Sequence, residues 1–91
     1  MPNLRMAEGM MQKQYSYIMS YYPDGGDINN AQEGCWFMPS AYNITNKPIG
    51  TYFLIVYKNT LTQKVDIALG LDFFCIRVNN TNWYKFTGTA I

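Results

Sequence analysis

Ninety-one residues make one domain, close to the lower size limit for a single hydrophobic core. Charged side chains are 14 % of the chain, against about 25 % in an average domain, the formal net charge is +1 and no basic cluster occurs, which argues against a nucleic-acid partner. Histidine is absent and cysteine occurs twice, so the chain has neither imidazole for acid–base work nor the donors for a four-ligand zinc site.

Residues 1–22 stand apart from the rest. Met1, Met6, Met10, Met11 and Met19 lie here, five of the six methionines. Leu4, Met11 and Ile18 recur every seven residues, and Met11, Tyr15, Ile18 and Tyr22 follow a helical stripe. Tyr15, Tyr17, Met19 and Tyr21 also alternate with Ser16, Ile18 and Ser20, which is a strand pattern. Gly9 weakens a helix by about 1 kcal/mol relative to Ala. A helix over about residues 4–20 is favoured and an extended form stays open. On either reading the apolar content needs burial, so residues 1–22 are expected to be an attachment or trimerisation arm with Leu4, Met11 and Ile18 as its contact residues.

Pro23-Asp24-Gly25-Gly26 is the strongest break in the chain and predicts a hinge over 23–26, with the domain proper over 27–91. Gly34 opens a strand through Cys35, Trp36, Phe37 and Met38, ended by Pro39. Residues 39–50 form a long loop of turn formers, read either as a wide arch or as a functional loop. The run from Thr51 to Tyr57 is uncharged, rich in β-branched and aromatic residues and too short to span a bilayer. It predicts a central strand buried on both faces. From Leu61 to Leu69 the chain alternates, with Leu61, Gln63, Val65, Ile67 and Leu69 expected inward and Thr62, Lys64, Asp66 and Ala68 outward. Phe73 to Val78 is a further strand, residues 79–82 a hairpin loop, and Trp83 to Phe86 the returning strand. The fold class expected is mainly β, a small antiparallel β-rich knob with an N-terminal helical or extended attachment arm.

Chemistry is sparse. Glu33, Asp66 and Asp72 are the candidate carboxylates for hydrolytic acid–base work, but each falls near a turn or on an expected solvent face. No nucleophile elbow or phosphate-loop spacing occurs, and neither Cys35 nor Cys75 has a His partner. The two cysteines read as buried free thiols, with a bridge the alternative. The chain is therefore expected not to be an enzyme, to need no cofactor or metal and to bind no nucleic acid or membrane. Its sequons, Asn43-Ile44-Thr45 and Asn79-Asn80-Thr81, carry no weight because the N-terminus lacks the apolar stretch of a secretory signal. Gln63 and Arg77 stand out as polar residues in apolar strands. They read as hydrogen-bonded supports, Arg77 against Trp83 within a cluster of Phe74, Trp83 and Phe86, or as part of a polar-aromatic sugar site. Sixteen per cent aromatics, eight of them Tyr, suit protein contact or stacking on sugar rings.

From Asp27 onward an ordered set of motifs appears: Asp27-Ile28-Asn29, Gly34 before Trp36-Phe37, Asn46-Lys47-Pro48, Leu54-Ile55-Val56, Gln63, Phe74-Cys75-Ile76-Arg77, and Trp83-Tyr84-Lys85-Phe86. In order and spacing, over about two thirds of the chain, this resembles the pyocin-knob module of bacteriophage tail fibres and R-type pyocin fibres. It departs from the module in Phe86, which stands where a second Trp is typical, and in its cysteines. The resemblance implies a β-rich knob that forms a homotrimer about a fibre axis, located in the virion and associated with capsid or tail proteins. One copy of the module behind a short arm implies a short head or tail fibre, or a capsid decoration, that serves host attachment. Host surface glycan is the implied ligand, and the loop 39–50, with Tyr42, Asn43 and Asn46, is the candidate platform for it. A carbohydrate-binding module without a virion role is the alternative.

Overall fold

The alternating and β-branched stretches form strands, and each pairs with its neighbour along the chain. The computed structural model describes residues 19–59 and 63–91. It holds one six-stranded sheet, in the order β1 (Ser20–Tyr21), β2 (Gly34–Phe37), β3 (Phe53–Lys58), β4 (Lys64–Leu69), β5 (Phe73–Val78) and β6 (Tyr84–Thr87). Strands β2 to β6 run as an antiparallel meander, and β1 adds to β2 in parallel. The fold is mainly β. Asn79 and Asn80 turn β5 into the loop before β6 with φ of 53° and 57°, and Thr81 N donates to Val78 O at 3.2 Å. Two successive left-handed residues make a type I′ turn, which asparagine tolerates better than other non-glycine residues.

One face of the sheet is covered by the chain's own irregular segments, residues 22–33 and 38–51. Asp27 caps a 3-10 turn, Ile28–Asn30, by accepting from Asn29 N. Ile28, Ala31, Met38 and Tyr22 pack on Leu54, Val56, Ala68 and Cys75 to form the core. The two covering segments are tied edge to edge: Ile28 N donates to Thr45 O, Thr45 N to Gly26 O and Gly25 N to Asn43 O. Residues 23–26, expected as a hinge, thus bond to the segment 43–45, and Asp24 Oδ1 accepts a further bond from Asn43 N at 2.7 Å. The end of the expected arm also belongs to the knob, since Ser20 and Tyr21 are sheet and Tyr22 is core. Leu4, Met11 and Ile18 lie outside the described residues.

The second face corrects two expectations. β3 is buried on one side only: Leu54 and Val56 are covered, while Phe53, Ile55 and Tyr57 are 37 %, 38 % and 57 % exposed. β4 is inverted relative to its amphipathic pattern. Lys64, Asp66 and Ala68 face the core, and Val65, Ile67 and Leu69 lie half-buried on the open face. Register is the cause, because Ala68 sits opposite Leu54 and Asp66 opposite Val56, on the covered face. Gln63, expected inward, is exposed just before β4, where its backbone N donates to Asn59 Oδ1. Cys35 and Cys75 are free, and strand alternation puts them on opposite faces, which precludes a bridge.

Candidate functional site

A charged node holds the cover on the sheet. Asp66, expected to be solvated, is fully buried. It accepts from Arg77 Nε at 2.7 Å and from Lys64 Nζ at 3.0 Å, both on the same oxygen, Oδ2. Lys64 Nζ also donates to Ile28 O at 2.8 Å and to Asn80 Oδ1 at 2.9 Å, so one ammonium joins the 3-10 turn, β4 and the β5–β6 turn. Burial pushes the Lys64 ammonium down from its ordinary value, against the pull of Asp66. Asp66 Oδ1 and Arg77 Nη2 are buried without a hydrogen bond among the described residues. Part of the desolvation is therefore not offset, and such a node fixes geometry more than it adds stability.

Arg77 continues the node outward. Its guanidinium lies over the Trp83 ring, 4.6 Å from the centroid. Trp83 Nε1 donates to Asn46 O at 3.0 Å, and Asn46 Nδ2 donates to Asp27 Oδ1 at 2.8 Å. Trp83 is on the covered side, apart from Phe74 and Phe86, which stack on the opposite face at 5.1 Å. The expected single aromatic cluster is thus two, divided by the sheet. Asn46 is a joint of the scaffold with φ of 64°. It chiefly, with Asn29 N, holds the Asp27 carboxyl below its ordinary value of 3.8. A group with a depressed folded-state pKa contributes stability above 3.8 that is lost as pH falls through the folded value. The Asp27 titration midpoint, read by carboxyl carbon chemical shift, should lie below 3.8 and move back up in Asn46→Ala. An unchanged midpoint in that variant would remove Asn46 from the account.

The open face has the opposite character. Strand register lays its side chains in three rows: Tyr21, Phe37, Phe53, Leu69, Phe74 and Phe86; then Cys35, Ile55, Ile67, Ile76 and Tyr84; then Tyr57, Val65 and Val78. None is charged. Rings touch along the first row, Tyr21 on Phe37 edge-on at 5.3 Å and Phe37 by Phe53 at 5.7 Å. At the Gly70 end a groove of about 250 Å³ is lined by Leu69, Leu71, Phe74, Phe86 and Asp72. Asp72 is the one carboxylate among the described residues that line it. Glu33 and Asp72 are exposed, and among the described residues no three His, Cys, Asp or Glu converge as metal ligands.

The three loop residues separate. Tyr42 is half-buried with its ring 6.4 Å from Tyr21, at the rim of the aromatic row. Asn43 is exposed and its backbone binds Asp24 and Gly25, while Asn46 serves the node. The signal missed in the sequence is the i, i+2 pair Lys64 and Asp66 opposite Arg77, whose value depends on strand register. Compared with protein-family models, curated proteins and solved structures, the chain matches none.

Proposed function

We propose that this chain is a structural protein of a bacteriophage virion, a short head or tail fibre whose knob is a homotrimer seated on capsid or tail proteins, without enzymatic activity. One observation carries the reading. Asp27, Asn46, Arg77 and Trp83, all within the motifs that resemble the pyocin-knob module, join in one connected set although they span the domain sequence. An ordered motif whose members converge to pin the cover on the sheet behaves as the signature of a module, and the module supplies the virion context. The test is immunogold labelling of intact particles with antibody to the knob. Label at regular positions on heads or tails is expected, and label confined to host debris would overturn the proposal.

The alternative of a free-standing carbohydrate-binding module has its own support in Tyr21, 64 % exposed beside Tyr42. Tyrosine pairs offer flat faces to sugar rings. On the fibre reading the same pair serves host attachment, and three copies would add avidity to weak single sites. Tyr42→Ala with Asn43→Ala should then cut adsorption to host surface polysaccharide at least tenfold, with the far-ultraviolet spectrum unchanged. Undiminished adsorption would leave the knob as architecture.

A further inference from the structure

The geometry points to the open face of the sheet as the surface through which copies of this chain pack on one another. This rests on the homotrimer reading and adds where the copies meet: in the knob, with each copy turning this face towards the three-fold axis, not by residues 1–22 alone and not by strand addition at the sheet edges. The edges offer little, since β1 is two residues long and β6 four. The face offers much. With strands about 4.8 Å apart and alternate residues about 6.8 Å apart, the three rows project roughly 450 Å². Accessible area exceeds projection on a surface of aromatic and branched side chains, which brings the face towards the roughly 800 Å² that each partner buries in a stable complex.

Its layout is that of an interface. The middle is aliphatic, a cross-strand line of Ile55, Ile67 and Ile76. The periphery carries the hydroxyls of Tyr21, Tyr57 and Tyr84, which are 64 %, 57 % and 62 % exposed. An aliphatic centre flanked by exposed aromatic side chains, Phe53, Phe74 and Phe86 among them, has the aromatic enrichment of a protein contact. The occupant follows from area and from the homotrimer reading: a trimer brings three such uncharged faces together, each approaching the area that a stable contact buries. Copies of the same chain therefore fit it.

Light scattering on the full chain tests this. Wild type is expected near 31 kDa, three times the 10.5 kDa of one chain. Ile55→Lys is expected to run as a 10.5 kDa monomer with an unchanged β-sheet spectrum. Tyr57→Lys with Tyr84→Lys alters positions already exposed in the single chain, so it leaves the fold intact and should raise the dissociation constant at least tenfold; this variant decides if Ile55→Lys fails to fold. A wild-type trimer whose Tyr57→Lys/Tyr84→Lys variant dissociates no more readily would overturn the face as the contact and leave the trimer standing. A 10.5 kDa wild type would overturn both.

Discussion

Asp66→Ala is expected to lower folding stability by about 3–5 kcal/mol, the usual result of removing one partner from a buried ion pair. The loss is large because two cations depend on one carboxylate oxygen. Without Asp66, Arg77 and Lys64 face each other across β4 and β5 with no counter-charge, in a site where Asp66 itself is fully buried. Lys64 retains Ile28 O and Asn80 Oδ1, so its tie to the cover survives in part. Urea denaturation should show a lower midpoint with unchanged slope if the sheet still folds as one unit. Small domains hold about 5–15 kcal/mol in total, so the variant should be marginal at 37 °C. A loss below about 1 kcal/mol would mean that solvent reaches the node. Replacing Asp66, Lys64 and Arg77 together by apolar residues of similar volume should cost far less, because no uncompensated charge remains.

Adjacent positions on β3 should give contrasting results. Leu54→Ala removes a side chain with no exposed surface between Trp36 and Ala68, and large-to-small changes at such sites cost about 2–5 kcal/mol. Ile55, next in sequence, is 38 % exposed on the open face. Ile55→Ser should cost the single chain only about 1 kcal/mol, on the scale of strand propensity. On the packing proposed above it should nevertheless weaken association, because the lost surface is then contact between copies. Denaturation at several protein concentrations separates the two effects: the Leu54→Ala deficit persists at every concentration, and the Ile55→Ser deficit shrinks as protein is diluted and the wild type dissociates. Equal, concentration-independent deficits would place both residues in one core and remove the distinction between the faces.

Much of this protein was legible in its sequence. The strands at residues 53–58, 64–69 and 73–78 follow from β-branched and aromatic runs bounded by Pro, Gly and Asn, and the mainly β class follows from them. The Arg77–Trp83 stack was readable too, since both flank one turn. What the sequence left undetermined was which side of each strand faces the chain's own cover. Alternation sorts residues into two sets but assigns neither to the core. The apolar set of β4, Val65, Ile67 and Leu69, reads as the inner one because burial of carbon is favourable, yet that driving force does not distinguish cover by the same chain from cover by another. Register decided it: Ala68 opposite Leu54, and Asp66 between Val56 and Arg77, bring a carboxylate within reach of two cations on the covered side. Lys64 and Asp66, ordinary surface residues by composition, become the buried fastening of the cover. The bonding of Gly25 and Gly26, and the use of Asn46 as a scaffold joint, likewise arise from contacts between segments about 20 residues apart, which local sequence pattern does not encode.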